Sequence, residues 1–582
     1  MRETNRGKRI VNEKGAEDTP GLASQLVLIF PPAMHPTSPP LGIAGLKAFL
    51  ESMCPSQHIP TLDLNLRFHQ KALSWIRNGR LRMKISGMEP EAAAGKITEV
   101  CRYLQGNEGM APFLDMERYN EAAEFYERYT GVLHGLFDHF CRRILAGLPV
   151  PNLAESFFKE LLEPVMELAP RLAGFSVLFS QQLYFALTMA RVLKEKGTRV
   201  VFGGATLSVM PHVERLLQNT VPFRIGSDRH RLHSETCLDF LMVGEGETGL
   251  LALRDQLDGD LSEVPGLVYR KDGQVSKNPP RMVADLNVLP LPDFRDLPVE
   301  DYLSPVPILP YLSSRGCFWG RCTFCTHQKT YLAYREESVE QTVSRLHELR
   351  TRHGVVHFNL VDEMIHPHRL ARLSRALLGE GAKLFWSAYA KPTGSFDMSL
   401  MDQLHRSGLR LVMWGVESGS QRVLDAMKKG IRLEWAGRIL DSAHHAGIWN
   451  LVFLLFGFPT ETEAEWDATL RFLEQHRESI DALSKSRFVL VAGSDIMRQP
   501  EQFGITQVFE RPERDLASIA YDYEVSGGLS QEEVQRRFEE QLPLLEQYGR
   551  SPHFGVFRDH FLVHAAVREL GNQGNDLERE ME

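Results

Sequence analysis

No run of about 18 apolar residues occurs in this chain, so no segment reads as a membrane-spanning helix. The longest apolar stretch, residues 451–458, has the length of a buried strand. Long basic runs are missing too. With a net charge of −9, this argues against a general nucleic-acid binder. Residues 1–19 are polar and charged, which excludes a signal peptide or an anchor there. Cysteine is scarce, with seven in 582 residues. Four of them, Cys54, Cys101, Cys141 and Cys237, are scattered. They read as small buried side chains and not as a disulfide framework. None follows Cys325, which excludes a second cysteine-ligated centre in the C-terminal part.

What is present is the balance of a soluble globular protein, 43% apolar and 24% charged residues. The length requires two or three domains. Residues 1–23 read as a disordered leader. Strands at 25–30, 61–66, 171–177, 199–202 and 239–243 alternate with helices such as 40–50 and 183–196. This pattern predicts an α/β, doubly wound, Rossmann-like parallel sheet over 24–255. Residues 67–168 interrupt it as a helical insertion, with apolar spacing at Phe125, Tyr129, Val132, Leu133 and Leu136. Residues 256–305 hold a hairpin turning at Asp272-Gly273 and a linker, Leu289-Pro290-Leu291-Pro292-Asp293.

From 306 to 500 the alternation resumes with six βα units, their later strands at 356–361, 383–388, 410–415, 450–455 and 488–492. Six units predict a partial (β/α)6 barrel with function at the strand carboxyl ends. Thr460 with Glu463 fits a capping box. Residues 501–582 read as a mostly helical region, with a helix starting at Ser530 and a frayed tail from Gly571.

One stretch organises the rest: Ser313-Ser314-Arg315-Gly316-Cys317-Phe318-Trp319-Gly320-Arg321-Cys322-Thr323-Phe324-Cys325. Its spacing is Cys-x4-Cys-x2-Cys. Three thiolates on a loop opened by glycine can converge on one metal. Three readings stand: chance proximity, a zinc site with His327 as fourth ligand, and a four-iron cluster whose fourth iron is left open.

This loop resembles the cluster loop of radical S-adenosylmethionine (SAM) enzymes, with one more residue than usual between the first two cysteines. The resemblance implies that Cys317, Cys322 and Cys325 hold a [4Fe-4S] cluster, that Phe324 belongs to the SAM pocket, and that the setting is a reducing cytoplasm. It further implies reductive cleavage of SAM to methionine and a 5′-deoxyadenosyl radical, fed by an electron donor such as flavodoxin or ferredoxin. The barrel strands end in Asp362, Glu363, Ser387, Glu417 and Ser418. By resemblance, Asp362 or Glu363 faces the SAM amino group, Glu417 and Ser418 face the ribose or methionine moiety, and Ser387 lines the same mouth.

Upstream, Phe30-Pro31-Pro32, Pro40-Leu41-Gly42, Gly174-Phe175-Ser176, Gly203-Gly204 and Gly244-Glu245-Gly246-Glu247 occur in order. This set resembles the cobalamin-binding domain that precedes the barrel in one radical SAM subclass. It implies cobalamin contacts at Ser176, Gly203, Gly204, Gly244, Glu245, Gly246 and Glu247. The Asp-x-His-x-x-Gly motif for a lower cobalt ligand is missing, and the loop after the first strand offers only His35. The function implied is a cobalamin-dependent C-methyltransferase acting on a small-molecule or peptide substrate, with no nucleic acid and no membrane as partner. The alternatives are a non-methylating cyclase, epimerase or rearrangement enzyme, and a non-catalytic metal-binding protein.

Overall fold

The structure, a computed structural model, describes residues 25–218, 220–326, 331–381, 383–509 and 518–572. The expected leader, His327 and the tail beyond 572 lie outside the described residues. Among the described residues, no helix is long and apolar enough to cross a membrane.

The first sheet contains β1 (Leu26–Phe30), β2 (Thr61–Asp63), β3 (Leu172–Ser176), β4 (Arg199–Gly203), β5 (Phe240–Met242), β6 (Leu267–Lys271) and β7 (Gln274–Lys277), in the order β2-β1-β3-β4-β5-β6-β7. The strands from β2 to β5 run parallel. The expected hairpin is present as β6–β7, but it pairs antiparallel with β5 and so extends this sheet. The chain passes from β1 out to β2 and returns to β3, so the switch point lies between β1 and β3. Ligands of open parallel sheets bind outside the carboxyl ends at that point.

β2 is shorter than the sequence predicts. Asp63 accepts a hydrogen bond from the Leu66 amide at 2.9 Å and caps the helix Leu64–Arg77, so the chain turns helical at the residue where the apolar run continues. The insertion is helical as expected, with Pro90–Leu104, Met116–Leu145 and Asn152–Leu168 as its other long helices. Tyr129 and Leu133 are buried in it, whereas Val132 is exposed.

The second sheet is a six-stranded parallel half-barrel: β8 (Ile308–Tyr311), β9 (His357–Leu360), β10 (Phe385–Ala390), β11 (Leu409–Glu417), β12 (Trp449–Phe456) and β13 (Ala482–Arg487), paired in chain order. Two local expectations are corrected. The last barrel strand is β13 and not 488–492; Leu490–Val491 joins a small sheet with Ile505–Phe509 and Ala520–Val525. The sequence conceals β13 because its register places Ser484 and Ser486 beside the inward-facing Phe453 and Leu455, leaving little apolar periodicity. The capping box is Thr462 with Glu465, at the start of the helix Glu463–Gln475; Thr460 instead takes a φ of 70° in the preceding turn.

The C-terminal region thus carries strands as well as the helices Gln531–Leu545 and Arg558–Asn572. Ser530 caps the former, with Glu533 completing a capping box. Phe554, Phe557 and Phe561 belong to the same buried cluster as Leu411, Leu451 and Ala482 of the barrel interior and Phe137 and Phe157 of the insertion. One apolar core therefore runs from the insertion through the terminal helix into the foot of the barrel.

Candidate functional site

The cysteine loop leaves the carboxyl end of β8 and is fixed at both ends. Ser314–Arg315 pairs antiparallel with Arg335–Glu336, closing the loop's base. Gly316 has a φ of +79°, and a Cβ there would lie 3.1 Å from the Ala333 carbonyl, so this turn requires glycine. At the other end the Thr323 amide donates to Met427 O at 3.0 Å, and the Ile496 amide donates to Thr323 O at 3.1 Å. Phe324 packs against the Val423, Leu424 and Met427 cluster. Cys317, Cys322 and Cys325 are all partly exposed. Among the described residues, no three His, Cys, Asp or Glu side chains stand close enough together to hold a metal ion.

The longer bend between the first two cysteines is packed and not loose. Trp319 Nε1 donates to Lys428 O at 2.9 Å. A Cβ at Gly430 would come within 2.1 Å of the Trp319 ring, so this glycine makes room for the indole. Lys391 Nζ lies 3.2 Å from the centroid of that ring, a cation–π contact, and donates to Lys429 O at 3.2 Å. Burial pushes the Lys391 ammonium down to about 8. Lys429 is buried and pairs with Glu417 at 2.6 Å; that carboxylate holds the ammonium above the usual lysine range. Burial raises the Cys322 thiol, and Lys429 opposes the rise. Two cations thus stand beside the thiols, which the sequence reading did not identify.

The expected SAM-facing residues divide. Glu417 lies at the mouth, partly exposed, with a φ of 72° that turns it away from the strand course. Asp362 does not face the mouth. It is buried and accepts hydrogen bonds from the Ser313 amide at 3.2 Å, the Ser313 hydroxyl at 2.9 Å and the Ser314 hydroxyl, so it braces the base of the cysteine loop. Ser387 is buried and donates to Asn359, which donates to Asp559 of the terminal helix. Ser418 is buried beside Thr469 and accepts from the Ser420 amide at 3.1 Å. Glu363 is partly exposed after β9.

In the first sheet, Ser176 and Gly203 close β3 and β4, and Gly204 follows with a Cβ position 2.4 Å from Val177 O. At the switch point Gln182 joins both loops. Its Oε1 accepts from the Leu178 and Phe179 amides at 2.8 and 3.0 Å, and its Nε2 donates to Pro31 O at 2.6 Å. Leu178 and Phe179 stay 44% and 43% exposed, an apolar rim at the strand ends. His35 is enclosed by Tyr126, His134 and Phe557, and burial lowers its basicity.

Gly244 and Gly246 flank a charged junction between the sheets. Glu245 pairs with Arg315 at 2.8 Å and with Arg335, and Glu247 pairs with Arg315. Glu245 and Glu247 are buried. Opposite charge holds the Glu245 carboxyl below its usual range against burial. The two acids therefore grip the guanidinium two residues ahead of Cys317, and the carboxyl-end loops of the two sheets meet at the cysteine loop.

Residues 311–473 match the model of the Radical SAM superfamily. An uncharacterized methyltransferase of Pyrococcus horikoshii is 26% identical over 336 residues, spanning 56% of this chain and 69% of its own. The cytidylyl-2-hydroxyethylphosphonate methyltransferase of Streptomyces wedmorensis is 27% identical over 398 residues, spanning 57% of this chain and 71% of its own. Among solved structures, the cobalamin-dependent SAM radical enzyme OxsB, with aqua-cobalamin and SAM bound, superposes with a TM-score of 0.59 at 14% identity, over 89% of this chain and 67% of that one. The radical SAM methyltransferase TsrM of Kitasatospora setae, with cobalamin and a [4Fe-4S] cluster, gives 0.51 at 16% identity, over 83% and 75%. At these identities the likeness is one of fold.

Proposed function

We propose that this chain, whose residues 311–473 match the model of the Radical SAM superfamily, is a cobalamin-dependent C-methyltransferase working from a cluster held by Cys317, Cys322 and Cys325. The observation that carries this reading is the junction of the two sheets. A three-thiol loop at the end of β8 is fastened by Arg315 to the strand-end loop of a second parallel sheet. A cofactor on the first sheet and a centre on the loop would then share one space.

The residues fit both groups. Three partly exposed thiols with the cations Lys391 and Lys429 beside them are a donor set whose negative charge is partly offset; closure of the thiols would accompany cluster binding. The apolar rim of Leu178 and Phe179, with glycine at Gly203 and Gly204, leaves the first sheet open to a large planar ligand. When bound, these groups supply the electron for SAM cleavage and the methyl group for transfer.

The chain's own part is to hold and orient. Asp362 fixes Ser313 and Ser314 so that the loop leaves β8 at one angle. Glu417, held by the buried Lys429, keeps a partly exposed carboxylate at the mouth, complementary to the ammonium of SAM. Trp319 keeps Lys391 beside the thiols.

The deciding experiment is anaerobic reconstitution of the full chain with iron, sulfide and cobalamin, followed by SAM turnover. Retained cobalamin and a SAM-derived methyl group in the product support the reading. SAM cleavage without retained cobalamin or methyl transfer would replace it with the non-methylating reading.

A further inference from the structure

The barrel interior changes character partway up. Strand pairing places Tyr389, Met413, Leu451 and Ala482 inward at one level, and Phe453 with Ser484 at the next. Met413, Leu451 and Ala482 are buried in the cluster that includes Phe554, Phe557 and Phe561. Tyr389, Phe453 and Ser484 keep part of their surface exposed. These three side chains therefore remain partly accessible beside the level that the terminal helix covers.

Arg558, the first residue of that helix, lies against Tyr389 and Phe453. Its Nε donates to Gly555 O at 3.2 Å, and Nη1 donates to the Tyr389 hydroxyl at 2.9 Å. The guanidinium carbon lies 5.1 Å from the Phe453 ring centroid. The Tyr389 and Phe453 rings are nearly parallel, at 15°, with centroids 6.0 Å apart. The nearby acids are occupied elsewhere. Asp559 accepts from Thr37 at 2.5 Å and from Asn359, and Glu127 of the insertion faces His553 at 3.1 Å. Among the described residues, Arg558 has no carboxylate partner.

A guanidinium carries five N–H donors in a fixed fork. Two are used here, so among the described residues the Nη2 edge is left with no protein acceptor. Tyr389 accepts from Arg558, and its own hydroxyl proton is free to donate. These donors point at one kind of group, a planar or tetrahedral oxyanion bound through two oxygens. A half-buried cation with no carboxylate at ion-pair distance favours the same kind of ligand. The paired rings beside it offer a flat apolar wall.

We propose that Arg558, Tyr389 and Phe453 form the substrate-anchoring subsite, taking a carboxylate or phosphoryl oxyanion joined to a flat apolar body. This rests on the enzyme reading above and adds the substrate class to it. The terminal helix then serves two ends: its aromatic face fills the foot of the barrel, and its first residue selects what sits above.

The test is calorimetric titration of the full-length, cluster-reconstituted protein with benzoate, phenylphosphonate and neutral benzamide. At least one anion should bind, with benzamide about tenfold or more weaker. Arg558→Gln should weaken anion binding by about 30-fold. Arg558→Lys, which keeps the charge and loses the fork, should fall between that variant and the parent. Lys485→Gln, which removes a cation from the opposite face of β13, should leave binding unchanged. Preference between the two anions identifies which oxyanion the subsite favours. Failure of both anions to bind, benzamide binding as tightly as they do, or parental affinity in both Arg558 variants would overturn the proposal. Substrate-free SAM cleavage by the parent protein is measured separately, so loss of the enzyme reading and loss of the anion subsite appear in different assays.

Discussion

The chain holds two mainly parallel sheets whose carboxyl-end loops meet, and the two sets of loops are built from opposite materials. The first sheet ends in glycine, a buried glutamine stitch and the exposed Leu178 and Phe179. The barrel ends in thiols, two lysines and the Glu417–Lys429 pair. Backbone and apolar surface suit a large, neutral-faced ligand that must be held broadly. Charges and thiolates suit a centre and a zwitterion that must be held at defined points. The junction between them, Arg315 with Glu245 and Glu247, belongs to both sheets. The difference teaches that the two halves differ in chemistry, while shared apolar cores and a buried ion-pair network join them.

Breaking the barrel side should have the largest effect. Cys322→Ala is expected to abolish SAM cleavage and remove most of the roughly four irons of a cubane cluster, while circular dichroism stays native. Iron content and cleavage equal to the parent would remove the cluster assignment. Next in size is Arg315→Gln. It leaves Glu245 with Arg335 alone and Glu247 unpaired in a buried site, and removing one partner of a buried pair costs about 3–5 kcal/mol. A lower denaturation midpoint should come with poorer iron retention, and Arg315→Lys should recover part of both. Lowered stability with unchanged iron retention would show that the junction supports the fold without positioning the loop.

The sequence made the elements with strong periodicity readable: β4, β11 and β12 are apolar and bounded by glycine, and β1 is an apolar run stopped by Pro31-Pro32. β13 was not readable, because Ser484 and Ser486 face an open interior and Lys485 and Arg487 face the other way. Of the candidate site, the cysteines and Glu417 were marked by spacing and by their place at strand ends. Asp362, Ser387 and Ser418 looked equivalent in sequence, yet their hydroxyl and amide partners take them into loop bracing and packing. Gln182, Lys391, Lys429 and Arg558 carried no local pattern. Their roles depend on partners far away in the chain, such as Lys391 with Trp319 and Arg558 with Tyr389. The extra residue in the cysteine loop was the one available hint of the Trp319 wedge.

A smaller effect tests whether the barrel's charged end is strained when ligand-free. Glu461 follows β12, accepts from the Gly457 amide at 2.5 Å, and has its other oxygen buried without a partner. Burial pushes its carboxyl up to about 7. The folded state therefore keeps the proton to near pH 7, while the unfolded chain releases it near 4.5. Stability tied to the protonated form is full below 4.5 and is lost as pH rises through 7. Glu461→Gln mimics the protonated acid, so its advantage should be near zero at pH 4.5 and about 2–3 kcal/mol at pH 8. Denaturation midpoints at the two pH values measure this; an equal difference at both would refute it.

The mildest change should separate the two sheets. Replacing Leu178 and Phe179 together by serine removes exposed apolar surface and leaves both backbone amides bonded to Gln182. The fold gains no cavity from this, because neither side chain is buried. A planar cofactor that covers the rim loses about 1 kcal/mol of contact for each residue, so cobalamin affinity should fall by about tenfold to 30-fold. Iron content should not move, because the cysteine loop is anchored through Ser313, Thr323 and Trp319. Absorbance of bound corrin against added cobalamin, read beside iron per chain, gives both quantities on one sample. Unchanged corrin affinity would place the cofactor elsewhere on the first sheet. A parallel loss of iron would mean that the Arg315 junction transmits occupancy from one sheet to the other.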